Sequence, residues 1–432
     1  MYNIFKLKNG LRVVVEDIDY VNSVSVGLWV ENGSRNENEK NNGISHFIEH
    51  MLFKGTIKRT SKELAESIED IGGQLNAFTS KEATCYYVKI LDSYLELAVE
   101  VLSDMLFNSK FAVEDIEKEK GVVIEEINMS EDSPEDVLID LQCKATWGED
   151  SLSLPILGTT DTVKSFTQKD IKEYVESHYI PENSVISISG KFDMNSIEKL
   201  INKYFGHWES NNKKVTTYSN PEIINNVFYK KKSIEQLHLS LSFEGIKLGD
   251  DNIYSLLIIN NILGGGASSI LFQKIREEMG ICYSIYSYIS TYKNVGLINI
   301  YAGLNPNYAA EAIKVIKAEV EAYIKRGITE EKLSKAKEQV KGSYILGLES
   351  TSSRMFSNGK SVLFLNRVNE PKMVLEKINA VKMENIIEIM AKTFGKGILN
   401  ATFVGDNVDF EVLTKLSQTD IIAYKNPTKL NI

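Results

Sequence analysis

The sequence has little of what marks several common classes of protein. Its three cysteines, Cys85, Cys143 and Cys282, are odd in number and widely spaced. They argue against a disulfide framework and a cysteine-rich metal site, and they fit a reducing compartment. No run approaches the 18 apolar residues of a membrane span. The first residues lack the basic and apolar segments of a signal peptide, so we expect a cytoplasmic protein without a membrane partner.

Positive charge is also in deficit. Lysine and arginine number 49 against 59 aspartate and glutamate residues, which gives a net charge of −10 and argues against nucleic acid as the main partner. Hydrophobic content is 43% and charged content 25%, values that are ordinary for a globular protein. A chain of 432 residues is too long for one hydrophobic core, so two or more domains are expected.

One sequence pattern occurs twice. NGISHFIEHMLFKGT, from Asn42, overlays IYSLLIINNILGGGA, from Ile253, at an offset of 211 residues, with apolar helix-like positions matched. EDIEKEKG from Glu114 resembles EKLSKAKE from Glu331, and NSVISISGKFD from Asn183 resembles LNATFVGDNVD from Leu399. All three offsets are close to half the chain length, which indicates a duplicated domain.

Each half mixes helices with paired strands, and this pattern predicts an α+β fold of two homologous domains. We expect each domain to be an antiparallel sheet with helices packed on it. The polar stretch ESNNKKVTTYSNPE marks the connection. The predicted boundaries are residues 1–212 for the first domain, 213–228 for a linker and 229–432 for the second domain.

Local signals in the first half predict particular elements. Asn9-Gly10 separates two short strands, and SVSVGLWV alternates as a strand does. Thr60 and Glu63 form a capping box for a helix that ends near Gly72-Gly73. QLNAFTS and EATCYYVKIL then predict a hairpin.

Histidine is scarce, with five in the chain, yet His46 and His50 lie four residues apart in ISHFIEHMLFKGT. On a helix their rings point the same way and can share one ion. Zinc favours imidazole nitrogen, and catalytic zinc usually has three protein ligands and a water. Glu49 lies between them, on the same face as His46, where it could take a proton from that water and deliver it to a leaving amine. This is an H-x-x-E-H motif.

The third ligand is not decided by the motif itself. The segment EKEKGVVIEEINMSED offers several carboxylates, and Glu119 and Glu126 are seven apart, hence on one helical face, whereas Glu125 is turned away. The alternative is a chance pair of histidines and a solvated charged helix. The second copy weighs against chance, because it keeps the helix but has Leu257, Asn260 and Asn261 in place of the ligating groups.

At these residues the sequence resembles the pitrilysin family of zinc peptidases, especially small bacterial members similar to mitochondrial processing peptidase. The resemblance covers nearly the whole chain. It implies His46, His50 and Glu126 as ligands of one Zn²⁺ per chain and Glu49 as general base. It also implies Glu119 as an assisting catalytic residue that is not a main ligand.

The resemblance further implies that a peptide substrate binds as an added strand along LNAFTS, with Asn76, Ala77 and Phe78 in contact with it. Without the family, these three residues read as an ordinary hairpin strand.

In LGGGASSILFQKIREEMGICYSIYS, Arg276 and Tyr283 match the arginine and tyrosine that reach the family's active site from across a chamber. Their expected role is to hold the substrate and stabilise the oxyanion. Taken alone, Arg276 reads as a solvated helix residue and Tyr283 as a strand residue facing the core. Gly264-Gly265-Gly266 is not followed by the Gly-Lys-Ser/Thr of a phosphate loop, so a helix-ending turn is the better interpretation.

Large members of the family close two bowls of two domains each around a chamber, and this chain has domains for one bowl. The resemblance therefore implies half of a clamshell and a homodimer with two composite sites, or pairing with a zinc-less subunit.

The predicted function is a zinc endopeptidase that acts on peptides or unfolded segments. One alternative is a catalytically silent family member that serves as an assembly or binding subunit. A zinc hydrolase with a non-peptide substrate is the other, and the strand-like LNAFTS edge speaks weakly against it.

Overall fold

The structure is a computed structural model that describes residues 2–209 and 215–418. It divides into two compact units. The first comprises the described residues of Met1–Met129, Leu154–Thr217 and Leu346–Glu370, and the second those of Ser130–Ser153, Tyr218–Ile345 and Pro371–Ile432. Among the helices in the described ranges, none combines the length and the apolar character needed to cross a membrane.

The first unit is built on a six-stranded sheet in the order β1-β2-β6-β3-β5-β4. Its strands are β1 (Tyr2–Lys6), β2 (Arg12–Asp17), β3 (Ser23–Val30), β4 (Gln74–Thr79), β5 (Thr84–Leu91) and β6 (Ser184–Gly190). The predicted strands around Asn9-Gly10 are β1 and β2, and the predicted hairpin is β4 and β5.

The second unit repeats this arrangement with five strands in the order β7-β11-β8-β10-β9. They are β7 (Asn226–Lys231), β8 (Leu237–Glu244), β9 (Cys282–Thr291), β10 (Gly296–Leu304) and β11 (Asn400–Gly405). The sheets are antiparallel as predicted except at one pair of strands in each, because β2 runs parallel to β6 and β11 runs parallel to β7. A parallel pair requires a long crossover connection, and in each unit helices supply it.

Helices cover both sheets, and the mixed α+β class with two homologous sheets is as predicted. The described helices are α1 (Ile44–Leu52), α2 (Ser61–Glu69), α3 (Leu95–Asn108), α4 (Val113–Asp132), α5 (Pro134–Trp147), α6 (Thr160–Ser165), α7 (Gln168–His178), α8 (Ile197–Phe205), α9 (Ile253–Gly264), α10 (Ala309–Arg326), α11 (Glu330–Gly347), α12 (Thr351–Leu365), α13 (Pro371–Ala380), α14 (Met383–Phe394) and α15 (Phe410–Gln418). The predicted capping box begins α2, where Thr60 accepts a hydrogen bond from the Glu63 amide.

The repeated segments of the sequence fall on corresponding elements of the two units. The first pair lies on α1 and α9, the second on α4 and α11, and the third on β6 and β11. Of the predicted linker, residues 213–214 lie outside the described residues. Residues 215–225 form no regular element, and the last three linker residues already belong to β7.

The compact units differ from contiguous halves because each half of the chain contributes a helix to the other unit. Helix α5 follows the first half's α4 but packs on β7, β8 and β11 of the second unit. Helix α12 comes from the second half and packs on β2, β3 and β6 of the first unit. A contiguous domain boundary predicted from composition cannot reveal such an exchange. Each of the two helices is continuous in sequence with one half of the chain but packs in the unit built mainly from the other half.

The exchanged helix α12 explains why β3 is buried on both faces. Residues Val24–Val30 are all buried. One face packs into the main core of the unit, and the other lies under α12. There Ser25 Oγ lies 2.9 Å from Thr351 Oγ1, so the polar positions of the strand are satisfied by hydrogen bonds rather than by water.

Candidate metal centre and its surroundings

Helix α1 carries the two histidines, and its start is tightly defined. Gly43 precedes the helix with φ 93°, a left-handed conformation that favours glycine. A Cβ at this position would lie 2.7 Å from the Leu157 carbonyl oxygen, so space also excludes a side chain. His46 is buried, and its ring centroid is 4.6 Å from that of His50. The spacing of four residues therefore places both rings together, as predicted.

Helix α4 brings a carboxylate to these rings. Glu126 Oε2 lies 3.4 Å from His50 Nε2 and 3.7 Å from His46 Nε2. One ligand atom from each of the three residues lies within 4.8 Å of the others. Glu125 is exposed on the same helix, where it accepts a hydrogen bond from Asn128. Of the carboxylates that the sequence left open, Glu126 is the one that joins the histidines.

Glu119 approaches His50 from its other nitrogen. His50 Nδ1 is 2.8 Å from Glu119 Oε1, and Lys54 Nζ donates to Glu119 Oε2 at 2.5 Å. A carboxylate on Nδ1 holds the ring in the orientation that leaves Nε2 directed at Glu126. Glu119 is thus an orienting residue for His50 rather than a member of the three-residue cluster.

The charges of the cluster are set by burial and by these contacts. Burial lowers the pKa of His46 to about 4, with a further lowering from neighbouring His50. Burial alone would lower the pKa of His50 too, but its bonds to Glu119 and Glu126 raise it to about 9. The hydrogen bond from His50 holds the pKa of Glu126 below its usual value. These shifts favour a neutral His46, a protonated His50 and an ionised Glu126 at neutral pH.

These donors fit a zinc ion. Two imidazole nitrogens and one carboxylate oxygen are a usual set for catalytic zinc, which leaves its fourth position for water or substrate. His46 Nδ1 is buried and has no hydrogen-bond partner among the described residues, while its Nε2 faces the cluster. Because Glu119 already orients His50, a carboxylate outside the cluster supports the ring, as is common at zinc sites.

Glu49 lies beside the cluster without joining it. Its Oε2 accepts a hydrogen bond of 2.5 Å from Thr79 Oγ1, at the end of β4. Burial raises the pKa of Glu49, although the bond from Thr79 opposes that rise. A carboxylate with a raised pKa is better matched to proton transfer near neutral pH than an exposed one.

Strand β4 contains Asn76, Ala77 and Phe78 and forms the edge of the six-stranded sheet. Side chains alternate along it. Ala77 packs with the main core of the unit, whereas Phe78 lies 5.5 Å from Trp29 on the opposite face, in centroid distance. Asn76 is exposed and accepts a hydrogen bond from the Ala77 amide. The three residues therefore do not present their side chains to one place, and what they share is the edge backbone.

Arg276 and Tyr283 meet in the second unit. Arg276 lies on a π-helical segment, Phe272–Glu278, and its guanidinium carbon is 5.4 Å from the Tyr283 ring centroid. Both line a cavity of about 570 Å³ beside α9 and β9. Tyr283 is 72% exposed, so it is not the core-facing strand residue that its pattern suggests when taken alone.

Two residues that contact Glu49 and Glu119 were not predicted from the sequence. Thr79 lies inside the LNAFTS stretch that was singled out for other residues, and Lys54 follows His50 by four positions. Nothing in their spacing distinguishes either one from an ordinary strand threonine or helix-end lysine. Their roles depend on contacts with Glu49 and Glu119, which lie 30 and 65 positions away in the chain.

Comparison with known proteins is consistent with this geometry. The family profile of insulinase (peptidase family M16) matches residues 12–160, and the profile of the peptidase M16 inactive domain matches residues 165–340. An uncharacterised zinc protease of Bacillus subtilis is 43% identical over 390 residues, which cover 90% of this chain and 95% of the relative.

Two solved structures have a similar fold. A protease from Helicobacter pylori has a TM-score of 0.88 at 24% identity, over 94% of this chain and 99% of that one. A chain of complex III from Candida albicans has a TM-score of 0.82 at 20% identity, over 96% of this chain and 99% of that one.

Proposed function

The chain belongs to peptidase family M16, and on that premise we propose that it is a zinc-dependent endopeptidase of peptides or unfolded segments. The observation that carries the proposal is the joint placement of His46, His50 and Glu126 beside a separate carboxylate, Glu49. A binding-only protein has no need of a general base at a metal site.

His46, His50 and Glu126 would hold one zinc ion per chain. Zinc bound there would supply Lewis acidity, because it lowers the pKa of a water ligand and polarises a peptide carbonyl. Glu49 would take the proton from the attacking water and pass it to the leaving amine. Thr79 donates to Glu49 and holds its carboxylate in place for this transfer, and Glu119 keeps His50 oriented.

The substrate would bind along β4 as an additional strand. An edge strand offers unpaired backbone groups, and main-chain pairing binds extended peptides with little sequence preference. The exposed position of Asn76 and the edge location of Ala77 and Phe78 support this role. Thr79 links the end of the same strand to Glu49, so a peptide on this edge would run toward the general base.

Arg276 and Tyr283 would act on the substrate from a second subunit. Their shared cavity supports a joint role, since the guanidinium and the phenol could donate to a carbonyl oxygen that gains negative charge. One chain carries both this pair and the zinc ligands, so a homodimer with two composite sites is the simplest assembly. Its chamber would admit short or unfolded chains, and its proposed location is the cytoplasm.

The first test measures metal content and the cleavage of an unstructured fluorogenic peptide, before and after treatment with a chelator. We expect about one zinc per chain, loss of cleavage on chelation and recovery with zinc. A protein that binds zinc but cleaves no peptide would instead be an assembly or binding subunit. A chain of complex III has the same fold, and for that reason the test includes this alternative.

The second test removes the general base. Glu49→Gln should lower kcat by about 10²-fold to 10⁴-fold and leave zinc content unchanged. Glu125→Gln is the matched control, because it removes an exposed carboxylate near the same site and should cleave at the parent rate. Full activity in Glu49→Gln would contradict the proposed mechanism.

The third test examines the composite site. Glu49→Gln and Arg276→Ala are mixed after each has been shown to be nearly inactive by itself. In a homodimer with composite sites, a mixed pair has one intact site, so random exchange should restore about a quarter of the parent activity. No recovery after subunit exchange has been demonstrated would mean that Arg276 does not act across a subunit interface.

A further inference from the structure

Glu37 is a buried carboxylate that the proposed chemistry does not use. It lies in the polar loop before α1 and is 5% exposed. Its Oε1 accepts from the Ser45 amide at 2.8 Å, and its Oε2 accepts from the Gly43 amide at 2.7 Å. The Asn42 side-chain amide also donates to Oε2, at 2.9 Å. Both oxygens are therefore engaged by the residues at the start of α1.

These contacts satisfy groups that the helix cannot satisfy itself. The first amides of a helix have no intrahelical acceptor, and Gly43 has no side chain to serve as a cap. Glu37 serves as the cap instead, although it precedes Gly43 by six positions and Ser45 by eight. Its negative charge lies at the positive end of the helix dipole. Helix α1 has no acidic residue in its own first turn.

No lysine, arginine or histidine within 2–209 and 215–418 forms an ion pair with Glu37. Its donors are the neutral amides of Gly43, Ser45 and Asn42 and the neutral side chain of Ser45, and burial raises its pKa. A carboxylate buried among neutral groups is unfavourable for stability unless its hydrogen bonds compensate. Such a group is a poor choice if the only requirement is to begin a helix.

The second unit shows that the helix can begin without it. At the offset of 211 that aligns α1 with α9, Glu37 corresponds to Leu248. Within the described part of the chain, helix α9 has no side-chain cap at Asn252, and the half-buried Asp250 accepts one hydrogen bond, from the Asn252 amide. The copy without zinc ligands thus also lacks the buried carboxylate.

We infer that Glu37 is a positioning residue for the metal helix, an inference that rests on the proposed zinc function. Ser45, whose amide Glu37 holds, directly precedes His46, and His50 follows one turn later. Ser45 Oγ also lies 3.1 Å from Asn32 Nδ2 and 3.1 Å from Tyr174 OH. Glu37, Asn32 and Tyr174 together fix the first turn of α1. The position of that turn sets the direction of the His46 ring.

Asn42 extends the arrangement to the neighbouring loop. Its side-chain amide donates to Glu37 and also to the Pro155 carbonyl at 2.8 Å. The same loop lies against Gly43, where a Cβ would come within 2.8 Å of Gly158 Cα. Glu37 thus holds the helix start against a surface that leaves it little freedom to shift.

The experiment compares Glu37→Gln with Glu16→Gln in the full-length protein. Glu16 is an equally buried carboxylate of the same unit, but it binds Arg354 and Asn358 on α12 rather than the metal helix. Three quantities are measured: hydrogen exchange of the α1 amides without metal, zinc affinity by competition with a chelating dye, and Tm.

We expect Glu37→Gln to speed exchange across the first turn of α1 and to weaken zinc binding by about 10-fold to 100-fold. Glu16→Gln should lower Tm and leave both α1 exchange and zinc affinity unchanged. Glu37→Asp keeps the charge but shortens the side chain, so it should change α1 exchange and zinc affinity in the same direction by a smaller amount. This variant replaces Glu37→Gln in the comparison if the glutamine variant does not fold.

Unchanged α1 exchange in both Glu37 variants would overturn the inference, whether or not the protein binds zinc. So would an equal loss of zinc affinity in Glu16→Gln, because the effect would then be one of general stability. Absence of zinc binding by the parent would instead refute the proposed function, and the metal-free exchange data would still decide whether Glu37 holds α1.

Discussion

The two units share the order of five strands, with β1 added in the first, yet they differ at every position of the proposed metal site. Helix α1 of the first unit and α9 of the second occupy corresponding places, as do α4 and α11. In the second copy His46, Glu49 and His50 become Leu257, Asn260 and Asn261. At the offset of 217 that aligns the later helices, Glu119 and Glu126 become Ala336 and Ser343.

This difference separates what the fold requires from what the chemistry requires. Helix α9 forms with apolar and neutral residues at the same positions, so α1 does not need its histidines and glutamate in order to fold. Burying such groups is unfavourable unless they are paired or bind a metal. The polar residues of the first unit therefore read as a site added to a fold that is stable without it.

The largest effect is expected when the first unit is given the second unit's residues. His46→Leu with His50→Asn should abolish zinc binding and peptide cleavage, because two of three ligands are lost. The free energy of unfolding of the metal-free protein should stay within about 1–2 kcal/mol of the parent, since a buried histidine whose Nδ1 has no partner among the described residues is replaced by an apolar side chain. Metal analysis and denaturant unfolding measure the two quantities.

Loss of the folded state in this double variant would contradict the comparison, because the histidines would then be structural. The reverse exchange, Leu257→His with Asn261→His, is the control. It should not create a tight zinc site, since the third position on α11 is Ser343 rather than a carboxylate.

The next effect concerns the ligand on α4. Glu126→Gln should weaken zinc affinity by at least about 100-fold, because the only anionic ligand of the cluster becomes neutral. Glu125→Gln, one position away and exposed, should leave the affinity unchanged. Chelator competition distinguishes the two, and equal losses would show that net charge on the helix, rather than ligation, controls binding.

A smaller effect is expected at the orienting carboxylate. Glu119→Gln should lower zinc affinity by about 10-fold to 100-fold, because the amide holds His50 Nδ1 less firmly and without charge. Lys54→Met should lower zinc affinity by less, since Glu119 is the one described member of this network with which Lys54 pairs. If Glu119→Gln retained parent affinity and lost activity, Glu119 would act in the reaction and not through His50.

The smallest effect should appear at Thr79. Thr79→Val removes the hydrogen bond that stabilises ionised Glu49, so the pKa of Glu49 should rise beyond the level already set by burial. Because the general base acts when deprotonated, the acidic limb of the kcat profile should move to higher pH. Cleavage near pH 6 should fall by up to about tenfold and recover at higher pH. An equal loss at all pH values would indicate a positional effect alone.

Sequence patterns predicted much of the fold, since repeats, alternation and capping are local signals. The hairpin of β4 and β5, the capping box at Thr60 and the two homologous sheets all follow from them. The parallel pairs and the exchange of α5 and α12 do not, because which strand or sheet an element joins depends on distant surfaces. Ser25 illustrates this, because α12, which lies more than 300 positions away in the chain, buries it.

The candidate site divides in the same way. His46, Glu49 and His50 are close in the chain, so helical geometry alone places them together. The sequence offered Glu126 as one of several carboxylates, and the contact of α4 with His50 on α1 distinguishes it from the others. Thr79, Lys54 and Glu37 carry no distinctive spacing, and their connection to the site exists only as hydrogen bonds between separate elements.

The sequence by itself determined the chemistry that is available: two imidazoles and a carboxylate on one helix, in one of two related copies. The tertiary structure decided which carboxylate completes the cluster, which residues orient it and which groups are buried. The physical reason is the difference in sequence separation over which these interactions act. Helical periodicity acts over a few residues, whereas ligation, hydrogen bonding and desolvation depend on atoms that folding brings together from distant parts of the chain.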